Sequence, residues 1–167
     1  MHWSEYCGSI VLDSITKYIS AQRNIQVPRP KIDHYALSIK PLGKDLDIEW
    51  LSNLKYPLQL TDSLAYPQYA QADTIGKTKP SVLAIGDSYY VTIRDQKIAD
   101  KIFKQHIYIN YDRAYHLNDT ANEKPIAELD YKKTIDDSDV ILLVATSTNL
   151  FQVGWGNVDK MNALYQK

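Results

Sequence analysis

The residues best suited to chemistry lie in two places, at the start of the chain and in the middle of it. A short apolar run, Val82–Ile85, stops abruptly at Gly86-Asp87-Ser88. An α/β fold presents a serine in this way, at the carboxyl end of a central strand. The chain begins with His2-Trp3, and an imidazole is the usual base for a serine nucleophile. Together the two patterns predict a serine-dependent acyl-transfer site.

A third candidate group, Asn149, follows the apolar run Asp139–Ala145. Its amide can donate two hydrogen bonds, so Asn149 and the backbone N–H of Ser88 are the candidate oxyanion donors. If Ser88 opens a helix, the helix dipole also favours negative charge there. Gly86 permits a sharp turn and leaves room for a substrate carbonyl. The structural alternative is that Asp87 or Ser88 caps a helix and that Asn149 caps a loop.

Composition limits the classes of function. A chain of 167 residues with a net charge of −1 is one ordinary domain, and its interspersed charges give no electrostatic basis for binding nucleic acid. The apolar run Val140–Ala145 is too short to span a membrane, and no signal-peptide pattern is visible. Thirteen tyrosines against two phenylalanines suit contacts with sugars and, equally, ordinary half-buried positions.

The first half of the chain predicts one long helix and an insertion. Apolar residues at helical spacing predict a helix from Ser4 to about Gln22. The segment Arg23–Lys79 is broken by prolines, with strand-like alternation only in His34–Ile39 and a short helix over Asp45–Leu54. Because this segment has too few apolar residues for its own core, we interpret 23–79 as an irregular insertion within a single domain, 1–167.

Strands and helices alternate from Pro80 onward. The predicted strands are Val82–Ile85, His106–Tyr111 and Asp139–Ala145, and the predicted helices are Tyr90–Phe103, a short one near Lys124–Ile135, and Asn157–Tyr165. Buried strands separated by crossover segments predict an α/β fold, with a parallel sheet between layers of helices and the Ser88 strand at its centre.

These motifs resemble the SGNH hydrolase superfamily, and within it the alginate O-acetyltransferase-like branch of cell-envelope sugar acetyltransferases. In that branch an Asp-x-His-Trp-Ser/Thr motif, with a glycine shortly after it, precedes the Gly-Asp-Ser strand. Here His2-Trp3-Ser4 with Gly8 matches the second half of that motif, and Gly86-Asp87-Ser88-Tyr89 matches the nucleophile block. The resemblance implies a three-layer, flavodoxin-like fold.

The resemblance extends over the rest of the chain through weaker matches. Asp45-Leu46 and Asn53-Leu54 resemble the linking insertion of that branch, and Asn149-Leu150 to Gly154-Trp155-Gly156 resembles its closing segment. The strands that precede the His-Trp motif in the family have no counterpart here. The fold is therefore expected to be incomplete at its N-terminus, either as a fragment of a longer protein or as a degenerate member.

One departure from the family pattern concerns the base. The family's Asp would lie one residue ahead of Met1, and in a Ser-His-Asp site that carboxylate fixes the histidine tautomer. Glu5 is a possible substitute, although the motif gives it no such role. The sequence therefore predicts little or no turnover by this chain without an upstream Asp.

The resemblance implies a sugar O-acyltransferase or esterase. Ser88 would attack the acyl donor, His2 would take its proton, and Ser88 N–H with Asn149 would stabilise the oxyanion. The acyl group would pass to a hydroxyl of a polysaccharide or to water, with Tyr89, Tyr111 and Trp155 as candidate substrate-binding residues. The acyl donor stays open. A periplasmic or cell-envelope location is implied by the resemblance alone.

No cofactor or metal is expected, because the four histidines, His2, His34, His106 and His116, show no ligand spacing. A different class of function remains open, a non-catalytic carbohydrate-binding or assembly module that keeps the fold with a degenerate site. The missing Asp and the many tyrosines favour this alternative, whereas the retained Gly-Asp-Ser and His-Trp patterns favour the enzyme.

Overall fold

The computed structural model describes residues 2–53, 55–57, 60–118 and 122–166, and only the backbone of Ile48. The strands are β1 (Ile32–Ser38), β2 (Leu64–Tyr69), β3 (Ser81–Gly86), β4 (Gln105–Asn110), β5 (Ala114–Leu117), β6 (Glu123–Pro125) and β7 (Val140–Val144). The helices are α1 (Glu5–Arg23), α2 (Asp47–Ser52), α3 (Tyr90–Asp95), α4 (Ala99–Ile102), α5 (Tyr131–Asp136) and α6 (Asn157–Ala163).

The main sheet has five strands in the order β6-β5-β4-β3-β7. β3 pairs in parallel with β4 on one side and with β7 on the other, so that Ala84 lies opposite both Tyr108 and Leu142. This confirms the predicted parallel trio with the Ser88 strand between its two neighbours. β7 forms one edge of the sheet, so the end of the Ser88 strand is flanked by the ends of only two other parallel strands.

The prediction of an all-parallel sheet is wrong for the other edge. β5 runs antiparallel to β4, and β6 runs antiparallel to β5. The chain reverses through the three-residue turn Tyr111-Asp112-Arg113, whereas a parallel connection needs a dozen or more residues. Tyr111 has φ +57°, a left-handed conformation that glycine or asparagine usually supplies, so the sequence carried no ordinary turn signal here.

Apolar side chains cover both faces of the sheet. On one face Val82, Ala84 and Tyr108 join a core formed with α1, α3 and α4. On the other face Leu83 and Ile85 pack with Met161 of α6 and with the half-buried Tyr131 of α5. Every residue of β3 is buried, which explains its unbroken apolar sequence. The chain thus has a mixed α/β fold with helices on both faces of one sheet.

The helix predicted from Ser4 is confirmed as α1. The Ser4 hydroxyl caps it by accepting from the N–H of Cys7 at 3.1 Å. α1 lies close to α3 at Gly8, where a Cβ would come within 2.9 Å of Thr92 Cγ2. The Thr92 hydroxyl donates to the carbonyl of Trp3 at 3.1 Å. This contact fixes the first residues of the chain beside the helix that follows Ser88.

The insertion 23–79 is more regular than predicted. The strand predicted over His34–Ile39 is confirmed as β1, which pairs with β2 in a two-stranded antiparallel sheet, although its residues 33–37 are all exposed and show no alternation in burial. The helix predicted over Asp45–Leu54 is a 3₁₀ turn, Gly43–Leu46, followed by α2, while Leu54 lies outside the described residues. Trp50 and Leu51 of α2 are 68% and 72% exposed, so these two apolar side chains lie mainly in solvent.

Two further helix predictions are corrected. Tyr90–Phe103 is not one helix but two, because Lys97 adopts φ +53° between α3 and α4. The segment Lys124–Ile135 begins with β6 and a 3₁₀ turn, and becomes helical only at α5, where the Asp130 side chain caps the helix by accepting from Lys133 N–H. The left-handed Lys97 thus ends the first helix early, and β6 with the 3₁₀ turn delays the start of the second.

Gly86 provides a test of how tightly β3 and β7 pack. A Cβ at this position would lie 3.0 Å from the carbonyl oxygen of Val144 and 3.4 Å from the Tyr90 Cβ. We expect Gly86→Ala to lower the free energy of unfolding by about 1 kcal/mol, because overpacking costs about 1–3 kcal/mol and the reduced backbone freedom of Ala returns about 0.5–1 kcal/mol. Urea denaturation followed by circular dichroism measures this. The exposed Ser147→Ala change is the control and should shift stability by less than about 0.5 kcal/mol.

Candidate active site

The buried carboxylate of Asp87 is the centre of the candidate site. Its Oδ2 accepts from the backbone N–H of Thr146 at 2.8 Å and from the Asn149 amide at 3.0 Å. Its Oδ1 accepts from the N–H of Tyr89 at 3.1 Å, and its carbonyl accepts from the Tyr108 hydroxyl at 2.8 Å. The side chain is fully buried. Asp87 therefore joins the loop after β3 to the loop after β7.

Ser88 lies half-buried at the carboxyl end of β3, in a turn and not at the first turn of α3, which begins at Tyr90. This corrects the expectation that Ser88 opens a helix. The Ser88 hydroxyl accepts from the hydroxyl of Tyr111 at 3.4 Å. Among the described residues no acceptor engages the backbone N–H of Ser88, which leaves that donor available to a bound oxyanion.

His2 lies at the same edge of the sheet. Its ring centroid is 6.1 Å from that of Tyr89, the residue after Ser88, and the Trp3 ring meets Tyr89 edge-on at 5.6 Å. His2 Nδ1 is 2.5 Å from Asp47 Oδ2, and the two side chains are only 20% and 12% exposed. A carboxylate only accepts, so Nδ1 carries the hydrogen and Nε2 is the nitrogen that can take a proton.

The carboxylate on His2 was not identified from the sequence. Asp47 is 45 residues away along the chain, at the start of α2 in the insertion. Glu5, the substitute named from the sequence, instead points its Oε1 toward Gly43. The only sequence signal near Asp47 is the Asp45-Leu46 resemblance to a linking insertion, and it does not indicate a contact with His2.

The structure brings His2 and Ser88 to one edge without joining them. Within the described part of the chain no hydrogen bond connects the two residues. Proton transfer would require His2 Nε2 to move within hydrogen-bond reach of Ser88 Oγ, a tightening that is common between free and substrate-bound sites.

Two residues predicted for the site have other contacts in the structure. The Asn149 amide donates to Asp87, so one of its two hydrogens already supports the Asp87 carboxylate. The space at Gly86 is filled by Val144 and Tyr90, and Gly86 therefore serves the packing of β3 and not a substrate carbonyl.

Further carboxylates lie close to the His2–Asp47 pair. Burial raises the pKa of Asp45, and the nearby charge of Asp47 raises it further, although a hydrogen bond from Tyr66 acts in the opposite direction. Burial also raises the pKa of Glu5, with smaller contributions from Asp45 and Asp95. Burial is thus the main cause of both raised pKa values, and repulsion between neighbouring carboxylates adds to it.

A cleft of about 730 Å³ lies on the Tyr111 side of the site. Tyr111 and Trp155 meet edge to face in its wall, with ring centroids 5.2 Å apart, and the Arg113 guanidinium lies 5.5 Å from the Tyr111 ring centroid. Of the candidate substrate-binding residues, Tyr89 thus lies beside His2, whereas Tyr111 and Trp155 line the cleft.

Over residues 2–53, 55–57, 60–118 and 122–166, no group of three or more His, Cys, Asp or Glu side chains is arranged to hold a metal ion. Over the same ranges no helix combines the length and apolar character needed to cross a bilayer.

The chain was compared with models of protein families, with curated proteins and with solved structures, and none of the three comparisons gives a match.

The Asp87 contacts generate the first prediction for this site. Asp87→Asn keeps the shape but replaces one acceptor oxygen with a donor, so at least one buried N–H of Tyr89, Thr146 or Asn149 loses its acceptor. We expect a loss of about 1–3 kcal/mol in the free energy of unfolding, measured by urea denaturation. The matched control is Asp130→Asn at the N-cap of α5, where Asn caps equally well and stability should hardly change. Equal effects at the two positions would contradict the role given to Asp87.

The acidic group generates a pH-dependent prediction. Because the pKa of Asp45 is raised in the folded protein, ionising Asp45 opposes folding at neutral pH, and this cost disappears as the pH falls through the folded pKa. Asp45→Asn should therefore stabilise the protein at pH 7, by less than about 1 kcal/mol because Asp45 is partly exposed, and stabilise it less at pH 3. Urea denaturation at both pH values measures the difference.

Asp73→Asn is a control that should change the free energy of unfolding at pH 7 in the opposite direction. Hydrogen bonds from Lys77 and from Ile75 N–H lower the pKa of Asp73, so its charge favours folding at pH 7 and this contribution is lost as the pH falls. A gain from Asp45→Asn that is equal at pH 7 and pH 3 would contradict a charge effect.

Proposed function

We propose that this chain is a serine-dependent O-acyltransferase or esterase domain of the SGNH hydrolase type. The observation that carries the proposal is the His2–Asp47 pair beside the Gly86-Asp87-Ser88 turn. Ser88 lies at a strand end, the His2 imidazole lies nearby, and the Asp47 carboxylate contacts His2 Nδ1. These are the three parts of a serine-histidine-carboxylate site. Asp47 takes the part of the upstream Asp that the family motif requires.

The proposed reaction has two acyl-transfer steps. Ser88 Oγ attacks the carbonyl carbon of an ester while His2 Nε2 takes the hydroxyl proton, and the Ser88 N–H stabilises the negative oxygen. Collapse of the tetrahedral intermediate breaks the ester C–O bond, and His2 returns the proton to the leaving alcohol. A sugar hydroxyl or water then attacks the carbonyl carbon of the Ser88 ester and gives its proton to His2. The second collapse breaks the bond between that carbon and Ser88 Oγ, which takes the proton back from His2, and the acylated sugar or the free acid leaves.

The proposed acceptor is a hydroxyl of a cell-envelope or secreted polysaccharide. The aromatic walls of the cleft support this assignment, because the rings of Tyr111 and Trp155 offer the apolar faces against which sugar rings pack. The envelope location is part of the same proposal and depends on the family resemblance alone.

A second candidate is a carbohydrate-binding or assembly module without turnover. The observation that favours it is that no hydrogen bond joins His2 to Ser88 within the described residues. The two candidates differ in one measurable respect, since only the enzyme forms a covalent bond at Ser88.

Hydrolysis of p-nitrophenyl acetate and labelling by a fluorophosphonate test the proposal. Because Asp47 provides the orienting carboxylate, we expect the chain to turn over this ester and to be labelled at Ser88, and Ser88→Ala should abolish both. The exposed Ser147→Ala change should leave both rates unaltered. Labelling that persists in Ser88→Ala, or its absence from a folded wild-type protein that binds oligosaccharide, would contradict the enzyme and favour the second candidate.

The role of Asp47 is tested in the same assays. Asp47→Asn removes the charge that holds the His2 tautomer, and we expect kcat to fall by up to about 10⁴-fold, as for comparable serine-histidine-carboxylate sites. Asp73→Asn, an exposed change of the same kind, should have no effect on kcat. If Asp47→Asn retains full activity while Ser88→Ala is inactive, Ser88 is the nucleophile but Asp47 does not orient the base.

A further inference from the structure

A buried amide ties together the two turns that form the cleft. Asn157, at the start of α6, is fully buried. Its Nδ2 donates to the carbonyl of Tyr111 at 2.8 Å and to the carbonyl of Gly154 at 3.0 Å. Its Oδ1 accepts from the hydroxyl of Tyr131 at 2.6 Å. Because a hydroxyl donor faces one side of the amide and two carbonyls face the other, every polar atom of the amide has a partner.

Each of the two turns that this amide contacts contains one residue with an unfavourable backbone conformation. Tyr111 has φ +57° and Trp155 has φ +44°, both in the left-handed region that bulky side chains rarely adopt. Gly154 and Gly156 on either side of Trp155 also have positive φ. In addition, the indole N–H of Trp155 is buried with no acceptor among the described residues. Such conformations persist only where the surrounding contacts impose them, and they are concentrated at functional sites.

One of the two strained residues, Tyr111, contacts the candidate nucleophile. The rings of Tyr111 and Trp155 form the edge-to-face pair in the cleft wall, and the Tyr111 hydroxyl lies 3.4 Å from Ser88 Oγ. Asn157 does not line the cleft, and among the described residues no hydrogen bond joins it to Ser88, so its effect on Ser88 passes through the backbones of the two turns.

We propose that Asn157 is a positioning residue, which holds Tyr111 and Trp155 in their strained conformations so that the cleft wall stands beside Ser88. The inference rests on the proposed function for its catalytic meaning, since the cleft would then receive the sugar. The hydroxyl of Tyr131 fixes the direction of the amide. An ion pair, with Lys160 Nζ 2.6 Å from Asp112 Oδ2, also links α6 to the turn that contains Tyr111.

Asn157→Asp tests the proposal with little change in shape. A carboxylate can still accept from Tyr131 but cannot donate to the two carbonyls. The first readout is the near-ultraviolet circular dichroism of the Trp155 ring, which is identified as the contribution lost in Trp155→Phe. We expect Asn157→Asp to lose most of that contribution at a temperature where urea denaturation shows the protein folded. The matched control, Asn162→Asp, makes the same change at an exposed position of α6 and should keep it.

The second readout is substrate preference. The ratio of kcat/KM for an O-acetylated oligosaccharide to kcat/KM for p-nitrophenyl acetate should fall roughly 10- to 100-fold in Asn157→Asp, because only the larger substrate needs the cleft wall. Tyr131→Phe removes the hydroxyl that orients the amide and should give the same two changes to a smaller extent. It also provides the test if Asn157→Asp fails to fold.

The outcomes separate this inference from the proposed function. A folded Asn157→Asp protein with an unchanged Trp155 signal and an unchanged substrate ratio would overturn the positioning role, whatever Ser88 does. If the wild-type chain hydrolyses neither ester, the proposed function fails, and the Trp155 signal alone then decides whether Asn157 holds the cleft.

Discussion

The buried carboxylate of Asp87 joins the ends of the two parallel strands on which the candidate site is built. Without its three N–H donors, a carboxylate in this position would carry the full cost of its desolvation. With them, it fixes the turn that contains Ser88 against the loop that contains Asn149. Tyr108, from the neighbouring strand β4, also donates to the Asp87 carbonyl, so all three parallel strands contribute to one hydrogen-bonded group.

The remaining parts of the site reach this turn from distant parts of the sequence. α1 approaches α3 at Gly8, and the Thr92 hydroxyl bonds to the Trp3 carbonyl, which places His2 next to Tyr89. The insertion then adds Asp47, whose carboxylate is held against His2 although Asp45 and Glu5 lie nearby. The base side of the site therefore depends on contacts made by the insertion and not by the sheet.

The cleft wall contains two residues whose backbone conformations cost free energy. Tyr111 and Trp155 both have positive φ, and each costs on the order of 1–3 kcal/mol relative to an unstrained residue. The hydrogen bonds of the Asn157 side chain offset part of this cost, because they reach the carbonyls of Tyr111 and Gly154, of which the Gly154 carbonyl also accepts from the Asn157 backbone N–H. The molecule thus combines a rigid turn at Ser88 with two neighbouring walls that are held by different parts of the chain.

The amino-acid sequence alone determined the parts of this protein that depend on local pattern. The unbroken apolar run of β3, the spacing of α1 and its Ser4 cap were sufficient to predict a buried strand, a long helix and a serine at a strand end. Only the tertiary structure decided that β5 runs antiparallel, that Asn149 supports Asp87, and that Asp47 pairs with His2. The reversal into β5 depends on the left-handed conformation of Tyr111. The other two contacts join residues that are distant in the sequence, by 62 positions for Asp87 and Asn149 and by 45 positions for His2 and Asp47. Neither a strained backbone nor a distant hydrogen bond leaves a periodic signal in the sequence.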